Sequence, residues 1–427
     1  MVGDGLFDGD WQTRLQNVVG MMTDISRQTD PGEMVRVYSE RLRELYPVDG
    51  FLSVSRRGLE PPKYRIARSH VWDRVIDPWR NRDQLPVFEG GILGDLVYSD
   101  EPRIIDDLHV PADDPCAEHF EGMRSAAVIP VFDDGIAKNV VIQMMSQPNG
   151  FDPEHFPQMV WMTNLFGRAT HNLVLSRELQ EMHDRLDGEM AQVATIQQSL
   201  LPATTPTVTN LDLSVYYCSS SKAGGDYYDF FSLPDGRLGI LLADVSGHGT
   251  PAAVLMAITH AIAHLHSGPP AEPAQMLEYL NLHLANRYTR EGAFVTAIYG
   301  VYDPATREFC YSSAGHPAPR VKHCSDGTIE DIAADPKLPL GILADQKYRE
   351  HTITLRPGDQ VLFFTDGITE ARNADGEFFG VEGIDSVLMK CQEVAQGLKT
   401  AIVEALEKHT AGVAAEDDVT LLVARIS

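Results

Sequence analysis

Four apolar, strand-like runs in the second half of this 427-residue chain each carry an aspartate at one end: GGDYYDFF at 224–231, GILLADVSGHG at 239–249, QVLFFTDGITEA at 360–371 and EDDVTLLVARI at 416–426. A carboxylate that leaves a buried strand is costly unless positive charge meets it. None of the four runs holds a lysine or arginine except at Arg425, far along the last strand. A convergent divalent-cation site is the simplest way to neutralise so many acids. Any fold for this chain must answer that demand.

The chain is too long for one hydrophobic core, so two domains are expected. An apolar content of 43% with 22% charged residues is that of a folded globular protein and not of a disordered one. A net charge of −26, spread over both halves, argues against a nucleic-acid partner and against an anionic membrane surface. The five cysteines are odd in number and none forms a C-x-x-C pair, so neither a disulfide framework nor a zinc ribbon is expected. The acidic, glycine-rich start is unlike a signal peptide, and no apolar run reaches the length of a membrane span. A reducing cytoplasm is the expected compartment.

Residues 11–46 read as two helices, the second opened by Pro31 and followed by Pro47. Strand-like runs follow at 50–56, 63–70, 125–132 and 139–145, with an irregular segment at 90–108 between the second and third. A third helix starts near 154. Two helices, antiparallel-type strands and a closing helix describe a small α+β domain over 11–175. The closing helix is expected to continue through 176–203, because Leu175, Leu179, Met182, Leu186, Glu189, Val193, Ile196 and Leu200 alternate steps of four and three. Seven of these eight are apolar, which predicts a parallel dimeric coiled coil; a helix packed on its own domain is the other reading. Pro202 ends it. From 204 to 427 the pattern is strand-rich, with helices near 251–266, 272–290 and 395–410, and predicts two packed antiparallel sheets flanked by helices.

Taken singly, each acid has an ordinary explanation. Asp226 follows Gly224-Gly225, which suits a plain hairpin as well as a close backbone approach. Asp244 ends an apolar run before Val-Ser-Gly-His-Gly and a new helix start. Asp366 heads a turn, where aspartate is common, and Asp417 and Asp418 precede a strand, where surface acids are usual. Four such acids in one domain are hard to explain independently. Hard oxygen donors select Mg²⁺ or Mn²⁺ over zinc, and two such ions can direct water at phosphorus. No G-x-S-x-G or P-loop is present, and GGDYYDF is not the GGDEF of diguanylate cyclases.

The ordered set GGDYYDF, DVSGHG, FVTA, SSAGHP, LPLGI, FFTDGITEARN and EDDVTLLV resembles the metal-dependent PPM serine/threonine phosphatases of the bacterial SpoIIE/RsbU-like branch, over about 205–427. The resemblance implies an α/β-β/α sandwich, two Mn²⁺ or Mg²⁺ ions, and attack of metal-bound water on phosphoserine or phosphothreonine. Carried over, Asp226 and Asp244 bridge or flank the metals, the backbone carbonyl of Val245 binds one of them, and Asp366 and Asp417 hold the other face. Asp418 stands behind these ligands and Asp229 is structural. His248 is left open between protonating the leaving alkoxide and capping the next helix, and His316 is a structural residue at a strand end. No counterpart of the phosphate-gripping arginine of eukaryotic members is found. IQQSLLP at 196–202 looks like the linker that precedes such domains.

Residues 11–175 resemble a GAF sensor domain, with a PAS domain as the alternative. The implied protein is a signal-regulated phosphatase, homodimeric through its linker, acting on a phosphorylated STAS-type anti-sigma-factor antagonist, with an unknown ligand or partner at the sensor. The competing readings are a catalytically weak or inactive dimeric scaffold of the same fold and a small-molecule phosphohydrolase.

Overall fold

The computed structural model describes residues 10–427 apart from 46, 74–75, 221, 271, 290–291, 333–336 and 391–393. The chain divides into two compact units, Met1–His183 and Asp184–Ser427. Among the described residues no helix is long and apolar enough to cross a membrane.

In the first unit, α1 (Trp11–Ser26) and α2 (Pro31–Leu45) precede β1 (Gly50–Ser55), β2 (Lys63–Ser69) and β3 (Val87–Glu89). Then come α3 (Gly91–Val97), β4 (Arg103–Ile105), β5 (Ser125–Asp133), β6 (Ile136–Met145) and the start of α4 (Phe156–Gln198). The strands make one antiparallel sheet in the order β3-β2-β1-β6-β5-β4. Side chains alternate between its faces, as a period of two requires. Ala126, Val128, Val140 and Ile142 pack under Leu93, Leu96 and Val97 of α3, whereas Ala127 and Ile129 pack with Met159 of α4. The segment 90–108, read from sequence as irregular, thus holds α3 and β4. Its Gly90 and Gly91 both have positive φ, and that backbone turn obscures the short helix that follows.

α4 is continuous from Phe156 to Gln198. Five apolar residues of the predicted seam, Leu175, Leu179, Met182, Leu186 and Ile196, are between 44% and 64% exposed. An apolar stripe left to water on a long helix is unfavourable for the isolated chain.

The second unit begins with the end of α4, then β7 (Leu211–Cys218), β8 (Tyr227–Ser232), β9 (Leu238–Val245), α5 (Thr250–His264) and α6 (Pro273–Arg287). It continues through β10 (Val295–Asp303), β11 (Glu308–Ala314), β12 (Arg320–Lys322), β13 (Ile329–Asp331), β14 (His351–Thr354) and β15 (Gln360–Phe364). It closes with α7 (Asp366–Thr369), α8 (Gly380–Leu388), α9 (Ala395–Thr410) and β16 (Val419–Ile426). Two five-stranded sheets form, in the orders β14-β11-β10-β9-β8 and β13-β12-β15-β16-β7. Leu238, Ile240 and Leu242 of β9 meet Val361 and Phe363 of β15 and Leu422 and Ala424 of β16 between the sheets. The alternate residues Leu241 and Ala243 pack under α5 and α6, while Phe364, Leu421 and Val423 pack under α8 and α9. This is the predicted sandwich of two antiparallel sheets between helical layers.

Two details were not anticipated. α8 had no counterpart in the sequence reading. Cys116, Cys218 and Cys310 are free thiols, but Cys324 is disulfide-bonded, a pairing that the odd count and the spacing did not signal; Cys391 lies outside the described residues.

Leu422 is fully buried between the sheets. Leu422→Ala is expected to cost about 2–5 kcal/mol, read as a lower urea midpoint for the transition of the second unit.

Candidate metal centre

The period-two alternation that builds the sandwich also delivers the acids to one place. Asp226 and Asp244 have the parity of Tyr228 and Leu242, which lie between the sheets. Thr365 has the parity of Phe363, and Thr420 that of Leu422, on the opposing sheet. β9 ends at Val245, β15 ends at Phe364 and β16 begins at Val419, so the acids gather where these strand ends meet.

Asp226 is at the bottom of this cluster, 1% exposed. Its Oδ2 accepts hydrogen bonds from Thr365 Oγ1 at 2.8 Å and Thr420 Oγ1 at 2.5 Å. These threonines come from neighbouring strands that are themselves linked, since Thr420 N–H donates to Thr365 Oγ1 at 3.0 Å. Asp226 is thereby held by the second sheet although it belongs to the first.

Asp418 has a different task. Its carboxylate accepts from Ser220 N–H at 2.8 Å, Gly225 N–H at 2.5 Å and Asp226 N–H at 3.4 Å. It therefore anchors the backbone of the Gly-Gly-Asp turn. A side chain at Gly224 would overlap that carboxylate, and a Cβ at Gly225 would come within 2.8 Å of the Val245 carbonyl oxygen. The two glycines are required by close approach, and they bring the Val245 carbonyl and Asp226 to the same spot.

Burial pushes the Asp226 carboxyl well above its ordinary range, and the neighbouring Asp244 adds to the effect while the two threonines oppose it. Burial raises Asp244 to about 7, reinforced by Asp366, Asp417 and Asp418. Burial also raises Asp366, with Glu370 contributing. Asp417 is raised by burial and by Asp366, against a hydrogen bond from the Asp418 N–H. Among the described residues no lysine or arginine forms an ion pair with any of these acids. Clustered carboxylates that repel one another and have no cation of their own suit hard divalent ions. The residues present fit such a site.

The remaining predicted residues separate from this cluster. Asp229 has the parity of Tyr227 and points to the helical layer, where Tyr227 Oη donates to it at 2.5 Å and His264 Nε2 lies 2.7 Å away. His248 is exposed and lies within electrostatic reach of Asp417. It does not cap α5, because Gly249 occupies the N-cap and no side chain bonds there. His316 is buried, its Nδ1 is 3.0 Å from Thr296 Oγ1, and burial lowers it to about 3, so it is neutral.

Sequence reasoning missed Thr365, Thr420 and Gln197. Gln197, in the last turn of α4, is 5% exposed and clamps Gly224 from both sides. Its Nε2 donates to the Gly224 carbonyl at 2.5 Å and its Oε1 accepts from the Gly224 N–H at 3.0 Å. The only signal for the threonines is their place beside Asp366 and two residues after Asp418, where threonine is common in any strand.

The raised carboxyls carry a stability consequence. A group with a higher pKa folded than unfolded favours the fold at low pH and withdraws that support as pH rises through the folded value. The metal-free protein is therefore expected to lose thermal stability from about pH 5 to about pH 8, and Mg²⁺ or Mn²⁺ to restore it at the higher pH. Melting curves in chelator with and without the ions check this.

Residues 234–427 match the family described as Stage II sporulation protein E (SpoIIE). The chain is 30% identical over 198 residues to phosphoserine phosphatase RsbU of Bacillus subtilis, covering 46% of this chain and 58% of that protein. It is 27% identical over 186 residues to phosphoserine phosphatase RsbP of the same organism, covering 43% and 45%. The chain thus spans about half the length of these curated relatives. Among solved structures, the SiaA-PP2C domain of Pseudomonas aeruginosa aligns with a TM-score of 0.52 at 20% identity, over 58% of this chain and 99% of that one. The chain carries a SpoIIE-type domain with the PP2C fold, homologous to the serine phosphatases RsbU and RsbP.

Proposed function

We propose that this protein is a signal-regulated, metal-dependent protein phosphatase that hydrolyses phosphoserine or phosphothreonine. The observation that carries this reading is the convergence of Asp226, Asp244, Asp366 and Asp417 at one inter-sheet edge without a basic partner among the described residues. These four carboxylates and the Val245 carbonyl would hold two Mn²⁺ or Mg²⁺ ions. When bound, the ions supply the Lewis acidity for hydrolysis of a phosphate monoester.

The chain's own residues do the positioning. Thr365 and Thr420 set the Asp226 carboxylate, Asp418 sets the backbone of its turn, and Gly225 admits the Val245 carbonyl. The relatives' names, phosphoserine phosphatase in both cases, support a phosphoprotein substrate. By the resemblance that substrate is a STAS-type anti-sigma-factor antagonist.

The regulated part of the reading draws on three features. Residues 11–175 form the GAF-like sensor, 176–203 the coiled-coil linker and 204–427 the phosphatase. The sensor sheet and helices enclose a cavity of about 400 Å³ lined by Tyr38, Phe51, Arg65, Trp79, Gln143 and Phe166. Gln143 Oε1 and Arg65 Nε are buried there without partners, which suits a small polar ligand. At the far end, Gln197 joins α4 to the turn that carries Asp226, so a shift of the linker reaches the acid cluster directly.

With Mn²⁺ and a phosphoserine protein as substrate, Asp244→Asn is expected to lower kcat at least about a hundredfold; a rate equal to the native one would refute the reading. The exposed seam of α4 is proposed to close in a homodimer. Light scattering should report a dimer that Leu179→Asp combined with Leu186→Asp converts to a monomer, and a monomeric native chain would exclude it.

A further inference from the structure

We propose a second metal site, for a transition ion of the Zn²⁺ class, formed by Asp229, His260 and His264 on the helical side of β8. It is separate from the acid cluster. Asp226 and Asp229 are three residues apart on one strand-forming segment, so their side chains take opposite faces of the sheet. The proposal stands whether or not the chain is a phosphatase.

The geometry is that of a three-ligand site. His260 and His264 are one turn apart on α5 and present both rings to the same side, with centroids 4.4 Å apart. Asp229 reaches up from β8, and its Oδ2 lies 2.7 Å from His264 Nε2. One donor atom from each of the three residues lies within 4.8 Å of the others. Ligand atoms around a tetrahedral zinc ion are about 3.3 Å apart, so small side-chain rotations close the set. Among the described residues no hydrogen bond engages the His260 ring nitrogens, and the ring packs edge-on against Tyr227 and beside His264.

The surroundings are built as metal sites are built. Asp229 is 5% exposed, and it is oriented by Tyr227 Oη at 2.5 Å on Oδ2 and by the Phe230 N–H at 2.7 Å on Oδ1. Such hydrogen bonds fix a ligating carboxylate. His264 is about half exposed, which leaves an entry path and room for water as a fourth ligand. Two imidazoles and one carboxylate select Zn²⁺ or Co²⁺ over Mg²⁺, whereas the all-oxygen acid cluster selects the reverse. An ion here would tie α5 to β8, the strand that follows directly from Asp226.

The test is a Zn²⁺ titration of the full chain with Mg²⁺ in large excess, followed by calorimetry and by thermal unfolding. One Zn²⁺ per chain is expected, with a raised melting temperature. His260→Gln and His264→Gln should each weaken it at least about tenfold, and Asp244→Asn should leave it unchanged. Native-like binding by both glutamine variants would overturn the site, as would loss of the Zn²⁺ in Asp244→Asn alone. Should a glutamine variant fail to fold, Co²⁺ added to the native protein decides: intense visible bands of a four- or five-coordinate nitrogen-ligated ion support the site, and the weak spectrum of octahedral oxygen ligation overturns it.

Discussion

The mutual repulsion of carboxylates at the edge of the two sheets is the constraint around which the second unit is organised. Asp226 is almost fully buried beside Asp244, and in a low-dielectric interior such a pair opposes folding. The chain answers with neutral donors. Thr365 and Thr420 hold Asp226 from the opposing sheet, and three backbone N–H groups and the Ser220 hydroxyl hold Asp418 at the Gly-Gly-Asp turn. These bonds fix geometry without cancelling charge. The cluster is therefore ordered yet electrostatically unsatisfied, the state in which a pre-formed site favours added cations most.

The same arrangement makes the site sensitive to its surroundings. Gly224 touches Asp418 on one side and Gln197 on the other, so the turn that positions Asp226 is shared between β16 and the end of α4. Displacing Gln197 would leave a buried N–H and carbonyl unpaired, and a buried unpaired polar group is costly. The end of α4 is thus joined directly to the turn that carries Asp226. On the opposite face of β8, Asp229 and the α5 histidines form a second polar cluster, whose fully buried wall is Tyr227. A single short strand thus separates two polar clusters of contrasting donor types, one all-oxygen and one with two imidazoles.

Much of this was legible beforehand because strand alternation has a strict period. The runs ending at Asp244 and Asp366 could be placed as buried strands, and the order of motifs pointed to the sandwich. Helices α5, α6 and α9 fell within a few residues of expectation, since proline at or near the start of α5 and α6 marks their first turns. The short elements α3, α8 and β13 were not separable from loops, because one or two turns of helix or three residues of strand carry too little pattern. Asp418 bonds the backbone of the Gly-Gly-Asp turn, and Gly249, not His248, is the N-cap of α5. Thr365, Thr420 and Gln197 were invisible, because their importance lies in what they meet across 27 to 194 positions of chain.

By itself the sequence determined the strand and helix periods, the acid inventory and the absence of basic residues beside it. Those are local properties, set by residue type and spacing. Which acids share one edge, which of them brace and which face open space, and that Asp229 turns away toward two histidines were decided only by the tertiary structure. The physical reason is that side-chain parity assigns a face but not a neighbour. Neighbours are chosen when the two sheets pack, and it is their packing that turns four separate strand ends into one charged cluster.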